Sequence, residues 1–118
     1  MTVEVDAVRQ AALVDFKSIQ DLGDQIAREF HPQRIILFGS YANGTPTQDS
    51  DVDLLVILPL TGSPVHKAVE IRLKVNPPFP VDLIVRSPKQ IEKRLAMGDT
   101  FIADILKNGE VLYEACNK

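Results

Sequence analysis

Apolar residues recur at intervals of three and four in the first part of the chain: Val8, Ala12, Phe16, Ile19, Leu22, Ile26 and Phe30. That period places them on one face of a helix. Gly23 weakens the middle of the stretch, which favours a start near Asp15, and Pro32 stops the helix. Residues 1–6 read as a frayed end. The pattern then changes. Ile35-Ile36-Leu37-Phe38 is a continuous β-branched and aromatic run, the mark of a buried strand. Gly39-Ser40 ends it, residues 41–44 suit one helical turn, and residues 45–50 are turn chemistry throughout.

Residues 52–58 form a second strand. It is apolar on both faces after Asp53, so it should lie inside the sheet rather than at an edge. Ser63-Pro64 supplies a cap and a favoured first helical residue, predicting a helix over 64–75 that ends before Pro77-Pro78. A third strand follows over 80–86. Ser87-Pro88 repeats the helix start, with an end near Ala96 and a break at Gly98. A helix over 100–107, stopped by Gly109, and a small strand at 111–113 complete the chain. Strands alternating with helices define a small α/β (α+β) domain, a sheet backed by helices.

Composition narrows the function classes. At 118 residues the chain suits one domain, 1–118, of ordinary globular make-up: 45% hydrophobic and 25% charged. The net charge of −3 comes without a basic run, which argues against extended nucleic-acid binding. Cys116 is the only cysteine, so an intramolecular disulfide is excluded and a reducing compartment expected. No apolar run approaches the ~20 residues that span a bilayer. A cytoplasmic protein without membrane contact is the expectation.

The chemistry concentrates between Gly39 and Asp53. In a strand, residues two apart point the same way, so Asp51 and Asp53 should project together. Their repulsion is relieved by a divalent cation, and hard oxygen donors with open positions favour Mg²⁺. Asp53 stands in an apolar strand, where an unpaired carboxylate is costly to bury. Asp82, inside Val81-Asp82-Leu83-Ile84-Val85, repeats the pattern. Two buried aspartates on neighbouring strands are best explained by a shared metal. Three carboxylates suit two-metal phosphoryl chemistry, with Asp82 completing the second ion or accepting the proton. Gly39 lets backbone approach a ligand, and Ser40 adds a hydroxyl donor for phosphate. Among other charged groups, Lys67, Arg72 and Lys74 read mainly as a solvated helix face. His31 and His66 lack zinc spacing. Asp49 reads as a turn former, Tyr41 as packing or a base platform, and Phe101, Ile102, Ile105 and Leu106 as core, with a partner surface on part of that helix as the alternative.

Gly39-Ser40, ten residues, then Asp51-x-Asp53, with Asp82 as third carboxylate on a later strand, resembles the signature of minimal nucleotidyltransferases of the DNA polymerase β superfamily. The likeness runs from the leading helix to the segment ending at Tyr113. One departure is Asn43, where many members carry arginine. The resemblance implies a polymerase β-like palm with a small mixed sheet, ATP or another nucleoside triphosphate as donor, and Mg²⁺, two ions. It makes Asp51, Asp53 and Asp82 catalytic and metal-binding, and Gly39 and Ser40 nucleotide-binding. It also implies a partner: such proteins are often antitoxins of HEPN-domain toxins, transferring AMP to the toxin within a hetero-oligomer. A catalytically silent antitoxin that neutralises by binding, and transfer to a small molecule or an RNA end, are the competing readings.

Overall fold

The computed structural model describes residues 13–116. The frayed start and the positions Val8 and Ala12 of the first helical stretch lie outside them. The elements in order are α1 (Phe16–Phe30), β1 (Arg34–Phe38), α2 (Ser40–Asn43), β2 (Val52–Ile57), α3 (Pro64–Val75), β3 (Val81–Arg86), α4 (Pro88–Ala96), α5 (Thr100–Asn108) and β4 (Glu110–Glu114). The strands form one mixed sheet in the order β3-β2-β1-β4. β1 runs antiparallel to β2 and β4, while β2 and β3 are parallel. β2 is interior, as its two apolar faces require, and Leu54, Leu55 and Val56 are fully buried.

Alternation along the strands builds two cores. Ile35, Leu37, Leu54, Val56, Leu83 and Val85 meet α1 and α3 on one face. Ile36, Leu55 and Ile57 meet α4 and α5 on the other, through Ile91, Ile102 and Ile105. α1 starts where Asp15 accepts the Ser18 N–H and ends at His31 in the left-handed conformation. Gly23 is buried within this helix, and a Cβ there would stand 3.2 Å from Leu112 Cδ1 of β4. The glycine therefore trades helix propensity for close approach of the edge strand.

The helix pair over the second core is set by local hydrogen bonds. Ser87 and Gln90 form a reciprocal capping box at the start of α4. At its end Gly98 takes φ +83°, its N–H bonds Leu95 O, and the Asp99 N–H reaches Arg94 O. This closes the helix and turns the chain sharply. Asp99 then caps α5 through the Ile102 N–H and pairs with Arg94. Gly109 ends α5 as expected, but for a different reason. Its backbone is extended (φ −71°, ψ 167°), so no left-handed turn demands glycine. A Cβ there would meet Ile105 O, Ile36 Cγ2 and Leu37 O at under 3 Å. Gly109→Ala should therefore wedge α5 away from β1 and destabilise the domain by about 1–3 kcal/mol, measured by urea unfolding.

β3 is an edge strand. Val52 N–H bonds Pro80 O and Leu58 N–H bonds Arg86 O, so the even-numbered residues of β3 face β2 and the odd ones face outward. Two outward carbonyls are occupied by guanidinium groups: Arg72 Nη2 donates to Val81 O at 2.7 Å and Arg86 Nη1 to Val85 O at 2.8 Å. Among the described residues, no helix is long and apolar enough to cross a membrane.

Candidate active site

Register places Phe38, Asp53 and Asp82 side by side across β1, β2 and β3. Paired residues share a face, and this is the face that α4 and α5 cover farther along, at Ile36, Leu55 and Ile57. The cover stops short of the row. Asp53 is half-buried and Asp82 is exposed, so the expectation of two buried aspartates fails. β3 is an edge strand of the sheet, and no charged side chain is buried among the described residues. Asp51 stands one residue before β2 begins and is exposed as well.

Asp53 senses both neighbouring carboxylates. Asp53 is pushed above its ordinary carboxylate range, first by partial burial, then by the negative charges of Asp82 and Asp51. Among the described residues no hydrogen bond or ion pair relieves any of the three. Nor do three or more His, Cys, Asp or Glu side chains there close into a ready-made metal cage. The donor set nonetheless fits Mg²⁺, which takes one or two carboxylates and fills its other positions with phosphate oxygens and water.

Gly39 lies against this row. Its backbone, φ +77° and ψ −156°, is open to glycine almost alone, and any Cβ would run into the Asp53 carboxylate. The turn continues into α2, where Gly39 O accepts the N–H groups of Ala42 and Asn43. The first N–H groups, of Ser40 and Tyr41, have no partner within the helix. Thr47 and Ser50 close the following loop on itself: the Thr47 N–H bonds Ser50 Oγ at 2.9 Å and the Ser50 N–H bonds Thr47 O at 3.1 Å. That compact loop delivers the chain to Asp51. Gly39, Ser40, Asp51, Asp53 and Asp82 are thus gathered at one end of the sheet.

Other sequence candidates fall elsewhere. Lys67 pairs with Glu70, Lys74 with Glu29, and Arg72 holds the β3 edge. All three stand on α3, across the sheet from Asp53 and Asp82. The Tyr41 hydroxyl accepts the Val14 N–H at 3.1 Å and its ring packs on the first core, which settles it as packing. His31 caps α1 and His66 stands in the first turn of α3. Asp49 sits in the closed loop.

Sequence reasoning missed one wall of the site. A cleft of about 310 Å³ opens beside Gly39 and Asp53, with Asn43 on one side and Phe101, Asp104 and Asn108 of α5 on the other. Phe101 is 53% exposed rather than core, its ring edge-on to Phe38 at 5.8 Å. The signal was present: positions 101, 104 and 108 share one helix face, while Ile102 and Ile105 take the buried one.

The mixed sheet thus presents neighbouring carboxylates beside a glycine–serine turn. The chain belongs to the nucleotidyltransferase domain family, whose model matches residues 19–112 and so contains every candidate site residue. It is 33% identical over 82 residues, 69% of this chain and 78% of the other, to a Methanocaldococcus jannaschii protein assigned as a protein adenylyltransferase. Solved structures share the fold. A Sulfolobus solfataricus protein assigned as a nucleotidyltransferase superposes with TM-score 0.53 at 22% identity, over 65% of this chain and 70% of that one. A toxin–antitoxin structure with AMP-PNP gives 0.52 at 22% identity, over 81% and 73%. A mutant of the MntA-HpeT toxin–antitoxin gives 0.52 at 24% identity, over 87% and 75%.

Proposed function

We propose that this nucleotidyltransferase moves AMP from ATP onto a hydroxyl of a partner protein, in a Mg²⁺-dependent reaction. The observation that carries the reading is the row of Asp53 and Asp82 beside Gly39, with the Asp53 charge unrelieved. Gly39 and the free N–H groups at the start of α2 bind and orient the triphosphate, with Ser40 as a further donor. Asp51 and Asp53, joined by Asp82, hold Mg²⁺, two ions in the full complement; the metal supplies charge neutralisation for the phosphates and a lower pKa for the acceptor hydroxyl. Asp82, exposed on the β3 edge, takes the proton of the acceptor hydroxyl. The acceptor oxygen bonds to the α-phosphorus, the bond from that phosphorus to the bridging oxygen breaks, and pyrophosphate leaves.

The assignment of the Methanocaldococcus jannaschii relative supports a protein acceptor. The toxin–antitoxin neighbours support a toxin as partner. A HEPN-domain toxin, bound in a hetero-oligomer in the cytoplasm, is the partner in this reading.

The test incubates the protein with labelled ATP, Mg²⁺ and a HEPN-domain candidate partner. Label should pass to the partner, and Asp82→Asn should slow transfer by about 10²-fold or more while nucleotide binding persists. Neutralisation of the partner without any label transfer would replace the enzymatic reading with one of binding alone.

A further inference from the structure

We infer that the cleft between α2 and α5 receives the nucleobase of the donor nucleotide, with Phe101 as its platform and Asn108, oriented by Asp104, as the group that selects adenine. This rests on the nucleotidyl-transfer reading above and adds to it the part of the chain that distinguishes one nucleotide from another.

The cleft shares Gly39 and Asp53 with the turn and carboxylate row assigned to the triphosphate. A nucleotide whose triphosphate sits at Gly39 therefore has its nucleoside end within reach of the cleft. The acceptor has a separate approach. Asp53 lies in the middle of the row; the cleft opens on the β1 side, where Phe38 and α5 stand, while Asp82 is exposed on the opposite, β3 side. An incoming hydroxyl reaches Asp82 without crossing the cleft. Its volume, about 310 Å³, falls in the range of small-ligand sites.

The walls carry base-recognition chemistry. Phe101 is half-exposed at the cleft, in T-shaped contact with Phe38, and its open surface is one that a flat ring can cover. Such a stack is indifferent to base identity. Selectivity comes from the amide. Asn108 Nδ2 donates to Asp104 Oδ1, one turn earlier on α5. This fixes the amide plane and leaves its second N–H and its carbonyl oxygen open. A donor and acceptor side by side match adenine, whose amino group donates next to a ring nitrogen that accepts. Guanine offers a carbonyl oxygen where adenine offers its amino group, so it meets the amide oxygen with like polarity.

The experiment measures equilibrium binding of Mg²⁺ complexes of non-hydrolysable ATP and GTP analogues to the full chain. Wild type should prefer ATP by about 5–150-fold. Asn108→Ala, at an exposed helix end, should keep triphosphate binding and bring the two affinities together, with an unchanged melting curve as the folding check. Phe101→Ala should weaken both nucleotides, by about 10-fold, and leave their ratio intact. An ATP preference that survives Asn108→Ala, or a wild type with no preference, overturns the inference and leaves nucleotidyl transfer standing. A wild type that binds neither nucleotide in Mg²⁺ overturns both.

Discussion

Asp53→Asn is expected to abolish nucleotidyl transfer, by about 10³-fold or more, and at the same time to raise the melting temperature of the metal-free protein at pH 7. The two effects share one cause. Asp53 is half-buried between Asp51 and Asp82 with no cation beside it among the described residues, so its carboxyl binds a proton more tightly folded than unfolded. Stability of the metal-free protein must then fall as pH rises from the ordinary aspartate value, 3.8, through the raised folded value. At neutral pH the penalty is fully present, and the amide removes it. At about pH 2 to 3, below the ordinary aspartate value, the carboxyl is largely protonated in both the folded and the unfolded chain, and the advantage of the variant should vanish. Mg²⁺ should raise the melting temperature of wild type at pH 7 and do so far less for Asp53→Asn. Thermal melts at both pH values, with and without Mg²⁺, check every part. A variant less stable than wild type at pH 7 would show that Asp53 holds the fold together.

Gly39→Ala should cost activity by a different route. The residue sits at φ +77° and ψ −156°, so a side chain adds backbone strain of about 1–3 kcal/mol. The new methyl would also claim the space of the Asp53 carboxylate. The side chain that yields is the one the chemistry needs, so transfer should fall by about 10²-fold or more, since small misplacements carry such costs. Gly44→Ala is the internal control. Its φ is also positive, +78°, though with ψ 19° it lies in the left-handed region, where a side chain adds less strain, and nothing lies within 4 Å of a Cβ there. It should lower stability with much less effect on transfer. Equal losses in both variants would mean that strain alone, not crowding of Asp53, explains the Gly39 effect.

Much of the architecture was legible in the residues. Ser63-Pro64 and Ser87-Pro88 marked two helix starts, the apolar run of β2 marked an interior strand, and the GS–DxD spacing marked the turn and the acidic row. What stayed hidden depended on packing between distant elements. Asp82 reads as buried in a run of Val, Leu and Ile, yet exposure follows from which strand is the edge and how far α4 and α5 reach. Phe101 reads as core because it adjoins Ile102, and only the rotation of α5 against β1 turns it to the cleft. Gly109 reads as a helix stop, whereas the crowding of α5 on β1 explains why it carries no side chain.

The two arginines on the outer rim of β3 bear on how the protein behaves at high concentration. An edge strand with free amides and carbonyls invites a second chain to add itself and grow into fibres. Arg72 and Arg86 occupy the Val81 and Val85 carbonyls and bring positive charge to the rim. Between them only Leu83 keeps both outward groups for an intruding strand. A domain that leaves its acidic row open has thus guarded the adjacent border against copies of itself.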